Sequence, residues 1–128
     1  MIYLRRKGVA LVKTKKGILV VAGKNKIFTL PGGGAEKNES RKAAAIRELR
    51  EETGLKTKSA KYLFTYKGKI WHSLKGKAVR NVGKIFFIKT YGKVKPGHEV
   101  KYVNYWKPGC NVGICDTTKS LIERYLKK

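Results

Sequence analysis

Acid is what this sequence is short of. Eight of its 128 residues are Asp or Glu, against thirty-one Lys and Arg, for a formal net charge of +23. That balance excludes a surface held together by Lys–Glu ion-pair networks, because there is too little Glu to pair with the Lys. Two readings of the lysines stay open: attraction of polyanions such as nucleotides, polyphosphate or RNA, or a surface that is merely solvated and Lys-rich by coding bias. Cysteine is scarce too. Cys110 and Cys115 stand alone, too few for the disulfide framework of a small secreted domain, which points to two free thiols in a reducing cytoplasm. No stretch approaches the roughly eighteen apolar residues of a membrane-spanning helix. The opening MIYLRRKGVALV is basic, but its apolar run is short and broken by charge, so it reads as a first strand and not as a signal peptide. The length is that of one ordinary domain, and the 41% apolar content is enough for a core, so a single domain over 1–128 is expected.

Along the chain, VALVKTKKGILVVAG predicts two strands joined by a Lys/Gly turn at 14–17. GKNK at 23–26 predicts another turn, followed by a strand IFTL that Pro31 and three glycines stop. Ser40 stands at a helix N-cap position, RKAAAIRELREET has high helix propensity, and Gly54 is placed as the stop. AKYLFTY, NVGKIFFIKTY and EVKYVNYW predict further strands, separated by Gly- and Lys-rich turns. TTKSLIERYLKK predicts an amphipathic closing helix with Leu121, Ile122, Tyr125 and Leu126 on one side. The order indicates a mixed α/β domain.

The little acid there is lies concentrated. Glu36, Glu39, Glu48, Glu51 and Glu52 fall within one short stretch. At about 100° per residue, Glu48, Glu51 and Glu52 share one arc of the predicted helix, while Ala45, Ile46 and Leu49 fall on the adjoining arc and can face the core. Like charges on one face destabilise a helix unless cations sit among them. Carboxylate oxygens with room for water suit Mg²⁺ or Mn²⁺, and Arg47, four residues before Glu51, can hold a carboxylate in place. A solvated acidic face is the plainer alternative. Gly32, Gly33 and Gly34 just before the helix favour a site: they allow close approach of a ligand and can present backbone N–H groups to phosphate.

The spacing is Gly33, five residues, Glu39, seven residues, Arg47, Glu48, Leu49, one residue, Glu51, Glu52, one residue, Gly54, Leu55. This resembles the Nudix box of the MutT-like Nudix hydrolases at every defined position. The resemblance implies a small α/β/α sandwich with a mixed sheet between helices, and metal-dependent hydrolysis of a pyrophosphate bond in a nucleoside diphosphate-linked substrate. It carries the metal-binding role to Glu48, Glu51 and Glu52, with Mg²⁺ or Mn²⁺ as cofactor. Arg47 takes the orienting role, Gly33 the turn, and Glu39 the position that steadies the loop–helix junction. Gly34 stands where many members carry a bulkier residue, which implies a more mobile loop.

A bound cation would offset phosphate charge and lower the pKa of water, and a carboxylate would take the proton. Glu51, Glu52 or a loop glutamate could do so. Glu99, in KPGHEVKYV, is the candidate loop acid, because no Asp or Glu lies between Glu52 and Glu99; a surface ion pair is its alternative. The positions past the box that resemble ADP-ribose or dinucleoside polyphosphate enzymes carry Ile70, Trp71 and His72 instead of the expected Pro or Tyr. By elimination a (d)NTP or oxidised nucleotide remains, with dinucleoside polyphosphates or RNA 5′ ends as the alternative. Phe28, Tyr66, Trp71 and Trp106 are candidates to stack on a base, with core packing as the ordinary role for each. Rival classes are a catalytically silent Nudix domain and a non-enzymatic RNA-binding protein. RNA is a possible partner on charge alone; no membrane partner is expected, and the sequence is silent on oligomeric state.

Overall fold

The computed structural model describes residues 1–127. The expected α/β fold is present. Strands β1 (Ile2–Leu11), β4 (Gly32–Gly34), β5 (Lys56–His72) and β6 (Ala78–Tyr91) form a mixed sheet in the order β4-β1-β6-β5. Within it β1 runs parallel to β6, and the other pairs are antiparallel. Strands β2 (Lys13–Thr14), β3 (Gly17–Ala22) and β7 (Tyr102–Trp106) form a smaller antiparallel sheet. Helices α1 (Arg41–Thr53) and α2 (Asp116–Leu126) complete the chain.

Strand periodicity assigns the core to two layers. Val9, Leu11 and Ile85 on one face of the larger sheet pack with Phe64, Leu121 and Ile122, which brings α2 onto that face. Ala10, Phe86 and Ile88 on the other face pack with Ala45, Leu49 and Leu55, which brings α1 onto the opposite one. The sheet therefore lies between helices. Contact with α1 is close because position 8 is glycine: a Cβ there would overlap the Arg41 carbonyl oxygen.

Three local expectations need correcting. IFTL makes no strand. It forms single bridges, Thr29 to Val21 and Phe28 to Ile114, because Lys26 turns the chain at φ 58 and the segment then divides its backbone hydrogen bonds between two neighbours. The three glycines do not lie outside regular structure: Gly32, Gly33 and Gly34 pair with Val9, Gly8 and Lys7, so Gly34 is held in a ladder where a mobile loop was expected. KGKIWH is no turn, because β5 runs through it to His72 and the reversal comes at 73–77. On α2, Leu121 and Ile122 are buried and Tyr125 is half-buried, but Leu126 at the frayed end is exposed. Both cysteines are free thiols.

Candidate functional site

The site is assembled where α1 crosses the short strand β4. The Ser40 hydroxyl accepts a hydrogen bond from the Ala43 N–H at 3.0 Å and starts the helix. Gly54 ends it in the left-handed region at φ 76, its N–H donating to the Arg50 carbonyl, a conformation that costs a residue with a side chain far more than it costs glycine. Between these ends, positions 47, 48, 51 and 52 face the loop that holds Gly32 to Glu39.

Arg47 organises the acids. Its Nε and Nη2 donate to the two oxygens of Glu39 at 2.8 and 3.0 Å, a two-point pair. Nη2 also reaches the Gly34 carbonyl at 3.1 Å, which ties the helix to β4. Nη1 donates to Glu48 at 2.9 Å and to Glu51 at 3.4 Å. Glu39 accepts a further bond from the Glu36 N–H at 2.9 Å. The Arg47 bonds, helped by that N–H, hold the Glu39 carboxyl down at about 2, and Glu39 in turn raises the proton affinity of Arg47.

Glu52 is treated differently. It accepts from the Gly32 N–H at 2.9 Å and has no guanidinium partner. Burial pushes its carboxyl up to about 7; the Gly32 bond opposes that shift, and the charge of Glu48 adds to it. Glu51 has a second contact, with His98 Nε2 at 3.0 Å. His98 is in the left-handed region at φ 54. Its loop is stitched to the end of α1 by Lys95 N–H to the Thr53 carbonyl at 2.7 Å and Gly97 N–H to the Glu52 carbonyl at 3.1 Å.

Two cavities flank these acids. One, of about 660 Å³, is bounded by Glu52, His98, Glu99, Lys24, Asn25 and Lys101 among others. The second, of about 380 Å³, lies on the α2 side of the sheet and is bounded by Lys7, Gly32, Tyr66, Trp71, Asn81 and Cys115 among others. Thr29 borders both. Burial and the charge of Arg5 lower the pKa of Lys7, while Glu52 and Glu48 pull it back up. Burial raises the pKa of the Tyr66 phenol.

The structure thus brings Arg47, Glu39, Glu48, Glu51 and the three glycines into one bonded cluster, with Glu52 attached through Gly32. Glu99 shares a cavity with Glu52, and Trp71 borders the second cavity. Phe28 borders neither: it packs against the core layer under α2. The Gly32 N–H, expected to be free for phosphate, is already used by Glu52. Sequence reasoning passed over Lys7, Asn81 and His98. Alternation along β1 could have found Lys7, which shares a face with Val9; nothing in the sequence marks Asn81 or His98.

Glu48, Glu51 and Glu52 offer oxygen donors only, as a hard divalent cation needs. Among the described residues no group of three or more His, Cys, Asp or Glu is placed to hold a metal ion as it stands; Arg47 and the Gly32 N–H are bonded to oxygens of Glu48, Glu51 and Glu52. Access remains. A Cβ on Gly33 would come within 2.6 to 2.9 Å of the Glu48 carboxylate, so glycine leaves that group reachable. The set fits a cation whose remaining ligands come from water or substrate.

Comparison with known proteins bears on the family pattern and the fold. The NUDIX domain pattern matches residues 3–108. The Bacillus subtilis (strain 168) protein named "Putative 8-oxo-dGTP diphosphatase YtkD" is 50% identical over 40 residues, 31% of this chain and 25% of that protein; the match thus spans a quarter of that relative's length. A nudix hydrolase family member of known structure from Chromobacterium violaceum superimposes with a TM-score of 0.79 at 30% identity, over 97% of this chain and 77% of that one. A bifunctional NMN adenylyltransferase/ADP ribose pyrophosphatase from Francisella tularensis, complexed with AMP and a Mn ion, shares the fold at TM-score 0.67 and 23% identity, over 96% of this chain and 41% of that one. Among the described residues, no helix is long and apolar enough to cross a membrane.

Proposed function

The chain belongs to the NUDIX family, and from that membership we propose that it is a metal-dependent pyrophosphohydrolase acting on a (d)NTP or an oxidised nucleotide. The observation that carries the reading is the Arg47 cluster. One guanidinium holds Glu39, Glu48 and Glu51 in register beside Glu52, an arrangement a solvated acidic face would not need. The relative named for 8-oxo-dGTP favours an oxidised purine nucleotide among the triphosphates.

Glu48, Glu51 and Glu52 would hold Mg²⁺ or Mn²⁺, which when bound supplies charge to offset that of the pyrophosphate oxygens and acidifies coordinated water. Arg47 keeps the acids from splaying apart under mutual repulsion. Lys7, which lines the smaller cavity together with Gly32, would place a cation where a phosphate chain approaches the acids. Tyr66 and Trp71 give the base apolar walls in a cavity of nucleotide-binding size. Glu52, whose proton affinity lies near neutrality, suits the acceptor of a proton from attacking water. Glu99 borders the same cavity as Glu52 and is the reserve acid.

The test is a hydrolysis panel with dGTP, 8-oxo-dGTP, dinucleoside polyphosphates, ADP-ribose and triphosphorylated RNA, with Mg²⁺ or excess chelator. The reading expects pyrophosphate release from the triphosphates and none with chelator. Turnover undiminished by chelator would overturn it, as would hydrolysis of ADP-ribose alone.

A further inference from the structure

The larger sheet continues well beyond both helices. Past Gly8 on β1 and Gly83 on β6, residues Ile2 to Arg6 are exposed on one strand, as are Ile70, Trp71 and His72 on β5. The exposed side chains are not those of an idle edge: Tyr3 is 47% and Trp71 43% exposed, and Ile2, Leu4 and Ile70 are exposed with them.

Register arranges the α2-side face of this extension in rows. Lys7, Gly83 and Tyr66 form the row nearest the core. Arg5 and Asn81 form the next, opposite the irregularity between Lys67 and Ile70 that brings in Lys69. Tyr3, Val79 and Trp71 form the outermost. The first row borders the smaller cavity, and so do Asn81, Lys69 and Trp71. A path of aromatic rings and cations therefore leads outward from a nucleotide-sized cavity along a single sheet face. Tyr3 and Trp71 lie two strands apart, about 10 Å by strand spacing.

The strands of this face carry no carboxylate: the sequence has no Asp or Glu before Glu36 or between Glu52 and Glu99. The Lys77 ammonium lies over the Tyr3 ring at 4.9 Å, a weak exposed contact that a stacking base would displace toward a backbone phosphate. Asn81 borders the smaller cavity, and its buried Oδ1 has no hydrogen-bond partner. We propose that this face binds single-stranded polynucleotide, whose terminal nucleotide enters the smaller cavity while following bases stack on Trp71 and Tyr3. A second copy of the chain stacked face to face fits poorly, since each copy would bring cations to strands that carry no acid to meet them. The inference goes beyond the hydrolysis proposed above and rests on that reading only in taking the smaller cavity as a nucleotide site; binding in chelator is read without turnover, so the two can fail separately.

The experiment is fluorescence anisotropy with a labelled oligouridine of about twelve nucleotides, in chelator, against a duplex of equal length. Wild type should bind the single strand more tightly than the duplex. Tyr3→Ala should weaken it by about 5-fold or more, and Tyr3→Phe should restore it. Lys77→Ala should flatten the dependence of log affinity on log salt by about 0.7. Neither residue borders the cavities, so mononucleotide hydrolysis and melting temperature should not move. Unchanged affinity in Tyr3→Ala, equal affinity for duplex, capture by anionic vesicles without preference for the oligonucleotide, or sedimentation as a dimer that Tyr3→Ala dissociates would each overturn the proposal.

Discussion

The larger sheet has a near half packed on both faces and a far half packed on neither. Near the helices, Val9, Ala10, Leu11, Ile85, Phe86 and Ile88 are buried, and α1, which carries Arg47, Glu48, Glu51 and Glu52, packs on one face of them through Ala45 and Leu49. Farther out, the same three strands carry Ile2, Leu4, Ile70 and Trp71 in the open and no acid at all. The two halves divide the work by charge. Clustered carboxylates have to be held against their own repulsion, so they belong where a core and a half-buried guanidinium can hold them. Cations that attract a polyanion need only be exposed and unopposed.

The largest effect should come from breaking the near half chemically while leaving it folded. Glu52→Gln keeps the side-chain volume and an acceptor for the Gly32 N–H, yet should lower kcat by about 10³-fold or more. It should also stabilise the protein in chelator at pH 8. An unfolded Glu loses its proton near its ordinary 4.5, whereas folded Glu52 holds on until about 7. Folding is therefore penalised increasingly as pH rises from about 4.5 to about 7, and fully above that. Gln abolishes a penalty of roughly 1–3 kcal/mol. Melting curves at pH 4 and pH 8 check this: the variant should gain only at the higher pH. Wild-type turnover would return Glu52 to an ordinary surface role.

Next comes packing. Gly8→Ala should cost about 3 kcal/mol or more, since its Cβ would collide with the Arg41 backbone and the helix would have to move. Leu4→Lys, four residues away on the same strand, should change stability by less than about 0.5 kcal/mol. Urea titrations of the two variants measure the contrast; equal costs would mean that the far half is packed after all.

Helix α1 was legible to the residue because Ser40, the 41–53 run and Gly54 are local signals that agree with one another, and the spacing from Gly33 to Leu55 placed the acid on a single face. Arg47 was legible by the same arithmetic. What escaped depends on long-range pairing. The glycines become a strand only because β1 lies beside them, and IFTL loses its strand because its partners are Val21 on one side and Ile114 on the other. Asn81 and His98 reach their cavities through register and loop placement, which no window of neighbouring residues encodes, whereas Lys7 could have been found by alternation along β1. The extended strand through KGKIWH was hidden by its glycine and lysines, residues that suggest a turn where they in fact form an exposed ladder.

A smaller effect should separate the two kinds of acid in the near half. Glu39 is held at about 2 by Arg47 and the Glu36 N–H. Its folded pKa is depressed, so its stabilising contribution is complete above the ordinary value near 4.5 and is lost as pH falls from there toward about 2. Glu39→Gln should melt lower at neutral pH, and the gap from wild type should close across that acid window. A gap that persists at low pH would show that Glu39 acts by packing rather than by charge.

The smallest effect concerns Glu99, which tests whether the near half ends at α1. Glu99 is exposed and borders the larger cavity beside Glu52 and His98. Its loop is not free to wander, because the Lys95 and Gly97 N–H groups are bonded to the last turn of α1, so its carboxylate is delivered to the mouth of the cavity at little entropic cost. As a distant ligand acting through water, it should shift metal affinity more than the chemical step. Glu99→Gln should therefore raise the Mg²⁺ concentration for half-maximal rate several-fold and leave kcat at saturating Mg²⁺ within about 3-fold. A base would behave in the opposite way, with kcat falling at every metal concentration. If both quantities match wild type, Glu99 is a surface charge, and the acids tied to Arg47 and Gly32 are the whole of the machinery.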